Sequence, residues 1–275
     1  MTEIFTPSGV RLRERARRPG DRNWLFLPGG PGIGSESLHE LVDALELPGV
    51  RWMVDLPGDG SNTDRVPYDP YRLWPGVVVE AAQAVERPVF AGHSTGGMYL
   101  LATPELEPLL EGLVLISTAP NADWLPIFEQ MAEHNPLPAV AAATERYVAD
   151  PTAETLRDLA VASAPWNFTE EGLERGAELL GRMPYNGPAV AWSDEHFDHI
   201  YTAAWAPPQT LPTLIVSGSE DRIVAQRLWD EDPRFADRPN VLRRRIDGGA
   251  HFPWIERPDA VRGAFEDFVR GSGRP

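Results

Sequence analysis

Residues 91–97 read A-G-H-S-T-G-G and follow the apolar run Pro88-Val89-Phe90-Ala91. A strand built only to pack would not end this way, because glycine costs backbone entropy and adds no side chain to a core. G-H-S-T-G fits the pattern G-x-S-x-G, and Met98-Tyr99-Leu100-Leu101-Ala102 after it is helix-like. Strand, sharp turn and helix are the setting of a nucleophile elbow, which holds a serine out at its apex. Gly92 and Gly96 are read as positions where a larger side chain would strike neighbouring backbone. Ser94 is then expected at the carboxyl end of a central strand, where α/β sheets place their ligands. A helix starting there aims backbone N–H groups and the positive end of its dipole at an anion. An ordinary strand-to-helix turn is the competing reading of the pattern alone.

Similar apolar runs recur on both sides of this stretch. They are NWLFLP (23–28), VRWMVDL (50–56), PVFAGH (88–93), GLVLIS (112–117), PTLIVSG (212–218) and VLRRRID (241–247). All but the last are nearly continuous in apolar residues, as strands buried on both faces are. Helical spacing appears between them in SESLHELVDALEL (35–47), YRLWPGVVVEAAQAVE (71–86) and RPDAVRGAFEDFVR (257–270), the last with Pro258 early, where a helix tolerates it. Alternating strand and helix predicts an α/β fold with a mostly parallel central sheet flanked by helices. The alternation breaks over 121–210, where AVAAATERYVAD, AETLRDLAVA and TEEGLERGAELLGRM read as helices punctuated by Pro and Gly. The chain is therefore divided into an α/β core, 1–120 and 211–275, and a helical cap insertion, 121–210.

Composition narrows the chemistry. The 275 residues carry a formal net charge of −16, which argues against nucleic-acid binding. Arg11 to Arg18 alternate as a strand with one polar face, and a solvated sheet edge accounts for them. The acidic balance is read mainly as a solubility device, with a cationic substrate as the other reading. No run of about 18 apolar residues exists, so no membrane span is expected. The first residues, MTEIFTPSGVRLRERARR, have no apolar signal-peptide core, so a cytoplasmic location is expected. There is no cysteine and no lysine; all 25 cationic residues are arginine. Thiol nucleophiles, thiolate metal sites, disulfides, Schiff bases, a P-loop lysine and a Ser-Lys dyad are all excluded.

A serine nucleophile needs a base, and with no lysine that base is one of six histidines. His93 adjoins Ser94, and neighbours on a strand point to opposite faces. His39 falls in an early helix, and His134, His196 and His199 fall in the cap. His251 remains, in D-G-G-A-H-F-P-W after the last strand and before the last helix, on the edge of the sheet expected to carry Ser94. The acid that would orient it follows PTLIVSG in S-E-D-R-I-V: Asp221, with adjacent Glu220 as the alternative. The chain order Ser94, Asp221, His251 distinguishes one group of serine hydrolases from others. L-P-G-G-P-G (27–32) would bring backbone donors to a developing oxyanion, with the N–H groups of Gly30 and Thr95 as the candidate pair.

These stretches together resemble the α/β-hydrolase fold superfamily over most of the chain outside the cap. LPGGPG (27–32) is similar to its H-G-G-P-G oxyanion loop, with Pro28 in place of His. DLPGDGSN (55–62) is similar to its D-x-x-G-x-G-x-S stretch, with Asn62 in place of Ser. GHSTGG (92–97), GSEDRIV (218–224) and GGAHFPWIERPDAV (249–262) complete the set. The resemblance implies no cofactor and an acyl-enzyme mechanism in which Ser94 attacks, His251 shuttles protons and Asp221 orients His251. The expected function is hydrolysis of a small carboxylic ester or amide.

The G-G-P-G loop is similar to that of proline iminopeptidases. Their elbow is commonly G-G-S-W-G, whereas G-H-S-T-G looks closer to general esterases and cofactor-free haloperoxidase-type hydrolases. An iminopeptidase-like aminopeptidase is the first alternative, and a non-catalytic small-ligand binder on the same fold is the second. Aromatic residues of the cap, Trp166 and Trp192 among them, are candidates for lining an acyl pocket, though packing alone also accounts for such residues. Glu195, in W-S-D-E-H-F-D-H (192–199), is the candidate carboxylate for a substrate amine, beside Asp194 and Asp198. His196 and His199 form only an H-x-x-H pair without the glutamate of a zincin, so no metal is expected. The expected partner is a small-molecule substrate; oligomeric state leaves no pattern in the chain.

Overall fold

The computed structural model describes residues 2–64 and 68–272. Eight strands form one sheet: β1 (Glu3–Phe5), β2 (Arg11–Arg18), β3 (Asn23–Leu27), β4 (Gly49–Asp55), β5 (Pro88–His93), β6 (Gly112–Ile116), β7 (Thr213–Gly218) and β8 (Val241–Ile246). Their spatial order is β1-β2-β4-β3-β5-β6-β7-β8. β2 runs antiparallel to β1 and β4, and every later pairing is parallel. β5 thus lies mid-sheet, with Leu27 opposite Gly92 on one side and Ile116 opposite His93 on the other.

The continuous apolar runs are explained by two cores, one on each face of the sheet. Leu25, Leu27 and Phe90 belong to one core; Trp24, Phe26, Val89 and Ala91 alternate with them into the other. Each such side chain removed from water contributes about 1.5–3 kcal/mol. β8 is an edge strand, which is why its arginines interrupt the pattern: its Val241–Arg244 stretch is only half-buried.

The helices between strands are α1 (His39–Ala44), α2 (Val78–Gln83) and α3 (Thr95–Leu101). α1 and α2 are shorter than the apolar spacing predicts. Residues 35–38 form a 3-10 turn, and Ser35 gives its N–H to Asp55 Oδ1 at 2.9 Å rather than capping a helix. Trp74 is extended (ψ 146°) ahead of Pro75, as the proline ring requires, so α2 starts only after it.

Between β6 and β7 come α4 (Trp124–His134), α5 (Pro138–Ala149), α6 (Ala153–Ala162), α7 (Ala164–Asn167), α8 (Leu173–Gly181) and α9 (Gly187–Ser193), followed by a π turn at Asp194–Asp198. Pairing of strand type in this segment, among the described residues, is the isolated bridge Asn121–Thr202. α10 (Leu228–Glu231), α11 (Pro253–Glu256) and α12 (Pro258–Ser272) complete the chain. α12 sets Phe265 and Phe268 against Trp24, with ring centroids 6.3 and 6.2 Å apart. Among the described residues no helix is long and apolar enough to cross a membrane.

Candidate active site

Ser94 stands between β5 and α3 with φ 51° and ψ −126°, a conformation that L-residues avoid. The glycines around it are there for contact. A Cβ on Gly92 would lie 2.6 Å from Gly97 Cα, and one on Gly96 would lie 2.3 Å from Pro28 O. Both were legible in the sequence. Gly29 was not: its Cβ would lie 2.5 Å from Ser94 Cβ, so the 27–32 loop packs directly on the serine.

His251 and Asp221 reach Ser94 from the loops after β8 and β7. These loops touch so closely that a Cβ on Gly218 would lie 2.2 Å from Gly249 O. His251 Nε2 is 3.1 Å from Ser94 Oγ, and His251 Nδ1 is 3.2 Å from each carboxylate oxygen of Asp221. Asp221 Oδ1 also accepts the N–H groups of Ile223 (2.9 Å) and Val224 (3.0 Å), which fixes the carboxylate. The Asp221 side chain is fully buried against His251, whereas Glu220, the alternative, is exposed. With Ser94 and His251 also buried, the line is screened from bulk water and its electrostatics are strengthened.

Gly30 and Thr95 are brought together as well. Thr95 Oγ1 donates to Gly30 O at 3.4 Å. Thr95 opens α3, so its N–H has no acceptor within the helix. Gly30 has φ 117°, a glycine conformation.

His93 does face away from the serine, as strand alternation requires. Its Nε2 lies 3.0 Å from His251 O, and the two ring centroids are 4.9 Å apart. Burial pushes its pKa well below the ordinary histidine value, and the nearby His251 adds to this.

The inserted segment meets the site at two asparagines that sequence reasoning does not single out. Asn167 O accepts the His251 N–H at 3.1 Å, and the Asn186 N–H donates to Gly32 O at 2.8 Å. Glu256 ties the same regions, accepting from Thr169 N at 3.1 Å and Ala250 N at 3.5 Å.

The remaining predicted residues are placed as follows. Trp166 Nε1 donates to Asn135 O at 3.0 Å, and the ring meets Phe128 edge-on. Trp192 packs edge-on against Trp74 and His196. Glu195 is solvent-exposed, with His196 Nε2 at 3.9 Å. Asp198 is the inward-facing acid of that cluster; it accepts from Ser193 Oγ at 3.0 Å, and burial pushes its pKa up to about 6. Among the described residues no group of three or more His, Asp or Glu could hold a metal ion.

A mostly parallel sheet, a strained serine at the end of its central strand and a histidine–aspartate pair from the last two strand loops define an α/β-hydrolase. Residues 24–264 match the alpha/beta hydrolase family, and the chain belongs to that family. It is similar to a pimeloyl-[acyl-carrier protein] methyl ester esterase of Xylella fastidiosa (strain 9a5c), 25% identical, covering 89% of this chain and 94% of the relative. It is also similar to the esterase YbfF of Escherichia coli (strain K12), 26% identical, covering 84% of this chain and 91% of the relative. Among solved structures it resembles a proline iminopeptidase-related protein from Thermus thermophilus. The TM-score is 0.69 at 23% identity, with 98% of each chain covered.

Proposed function

We propose that the protein is a serine hydrolase that cleaves a small carboxylic ester through an acyl-enzyme. The observation that carries this reading is the line Ser94 Oγ, His251 Nε2, His251 Nδ1, Asp221, closed by contacts of 3.1 and 3.2 Å. Esters are favoured over amides because the relatives at 25–26% identity are named as esterases.

Ser94 Oγ attacks the ester carbonyl carbon and passes its proton to His251 Nε2. Asp221 holds Nδ1–H and stabilises the imidazolium that results. The N–H groups of Gly30 and Thr95 receive the oxyanion, each worth about 3 kcal/mol in such sites. His251 then returns the proton to the leaving alkoxide, and the alcohol departs. Water then attacks the acyl carbon and gives a proton to His251 Nε2; the Ser94 Oγ–acyl bond breaks, His251 returns that proton to Ser94 Oγ, and the acid is released. Residues 121–210 act as the cap over this centre. The solvent-exposed Glu195 carboxylate gives no support to the aminopeptidase alternative. The test is a panel of p-nitrophenyl esters and free-amine p-nitroanilides with wild type and Ser94→Ala. Ester turnover that Ser94→Ala abolishes supports the reading; anilide turnover exceeding ester turnover, or a fully active Ser94→Ala, contradicts it.

A further inference from the structure

The peptide of Gly32 is held from both sides. Its N–H donates to Asp59 Oδ1 at 2.9 Å, and its carbonyl accepts from the Asn186 N–H at 2.8 Å. The fit leaves no room for a side chain: with φ 90°, a Cβ on Gly32 would lie 2.6 Å from Asn186 O. Asn186 reaches further, donating through Nδ2 to Gly58 O and accepting from Tyr71 Oη at 3.3 Å. Its side chain is spent on these contacts and makes no capping bond to α9. Asp59 is 2% exposed and sits in the loop after β4. Asp55, at the end of β4, accepts the Ser35 N–H, so the 28–35 loop is tied by two carboxylates of one neighbouring segment. Asp55 is paired with Arg11 and Arg13. Gly30 thus lies between Gly29, wedged on Ser94, and Gly32, fixed in this clamp.

We propose that Asp59 and Asn186 are positioning residues that set the Gly30 N–H through the Gly32 peptide, so that docking of the cap and formation of the oxyanion site are one event. The proposal rests on the acyl-enzyme reading above. Oxyanion donors act only at hydrogen-bond distance from the developing charge, and small displacements are costly in rate. Neither residue touches substrate in this scheme.

The test uses the full chain with Asp59→Ala, Asp59→Asn, Asn186→Ala and Ser94→Ala. The readouts are kcat and KM for p-nitrophenyl butyrate and the rate constant of phosphonylation by a fluorophosphonate. Asp59→Ala is expected to lower kcat roughly 30-fold with KM within about twofold, somewhat less than the ~100-fold cost of an ångström's misplacement or of a lost donor, because the Asn186 N–H still holds the Gly32 carbonyl. Phosphonylation should slow in parallel, because the phosphoryl oxygen uses the same N–H groups. Asp59→Asn should recover most of the loss, since its Oδ1 still accepts from Gly32. Asn186→Ala keeps the main-chain N–H that bonds Gly32 O and removes only the side-chain anchors to Gly58 and Tyr71, so it should lower kcat by no more than about threefold in the same pattern.

Asp59→Ala within threefold of wild-type kcat, Asp59→Asn no better than Asp59→Ala, or a rise in KM alone would overturn the proposal. If Asp59→Ala does not fold, Asp59→Leu, which fills the site without an acceptor for the Gly32 N–H, decides: unchanged kcat and phosphonylation overturn the clamp. An active Ser94→Ala would remove the underlying reading itself. An inert Ser94→Ala beside fully active clamp variants would remove the clamp alone.

Discussion

His93 Nε2 lies 3.0 Å from the main-chain carbonyl oxygen of His251, braced on the side away from the serine. Burial keeps His93 neutral, so Nε2 carries a proton and donates it to that carbonyl. On the other side of the same residue the His251 N–H is held by Asn167 O at 3.1 Å. The backbone of His251 is thereby fixed by one residue of the core and one of the inserted helices.

Replacing His93 by alanine leaves a cavity among Phe252, Trp254 and His251 and an unpaired carbonyl. The expected loss is about 3 kcal/mol of stability, measured by urea unfolding. A pH dependence accompanies it. The folded pKa is depressed, so the unfolded chain takes up this proton first. Stability is full above the unfolded value of about 6.5 and falls below it, by at most ~1.4 kcal/mol per pH unit. His93→Phe should lack that slope; an identical slope in wild type and variant would count against a neutral His93.

Asp59 should act with the opposite sign. Burial, with Asp55 adding to it, pushes its folded pKa up to about 7. Its contribution is therefore full below the unfolded value of about 3.9 and is lost as pH rises through 7. The difference in unfolding free energy, wild type minus Asp59→Asn, should decline between about pH 4 and pH 7 and then level off. A difference that rises with pH would show that Asp59 is ionised throughout that range.

The backbone of Ser94 predicts an inversion of the usual Gly/Ala order. At φ 51° and ψ −126° a side chain is strained by about 1–3 kcal/mol, more than the ~0.5–1 kcal/mol entropic cost of glycine. Ser94→Gly should therefore unfold at equal or higher denaturant than Ser94→Ala. A clearly less stable glycine variant would mean that the turn carries no such strain.

Asp221→Asn retains an oxygen for the Ile223 and Val224 N–H groups, so the fold should survive. It presents the wrong partner to Nδ1–H, and kcat should fall by about 10²–10⁴, the scale of loss when the acid of a serine triad becomes an amide. Glu220→Gln, on an exposed carboxylate, should stay within twofold in the same assay, by the usual insensitivity of exposed sites.

The parts legible in the sequence are those with a local signature. β5 is apolar on both faces because both faces carry a core, and Gly92 and Gly96 mark the bend at Ser94. His251 is reached by elimination, since no lysine competes, His93 belongs to the opposite face of β5 and the other four histidines lie elsewhere. Asp221 is readable from its place after PTLIVSG, but its neighbour Glu220 shares that place, and only burial separates the two. β1 has three residues, too few for periodicity to register. α4 has an apolar stripe at helical spacing, Trp124, Ile127, Phe128 and Met131, but Pro126 in its first turn reads in the sequence as a helix breaker. Asp59 and Asn186 meet Gly32 from distant parts of the chain, through backbone groups that every residue has, so no spacing announces them. The helical character of 121–210 was readable from its Ala- and Glu-rich runs, but its attachment at Asn167 and Asn186 was not.

The central claim is that Ser94 is an activated nucleophile, and intact-mass spectrometry after incubation with a fluorophosphonate tests it most directly. One adduct on the wild type and none on Ser94→Ala is the predicted result. An unmodified wild type, or an adduct that persists on Ser94→Ala, would contradict it.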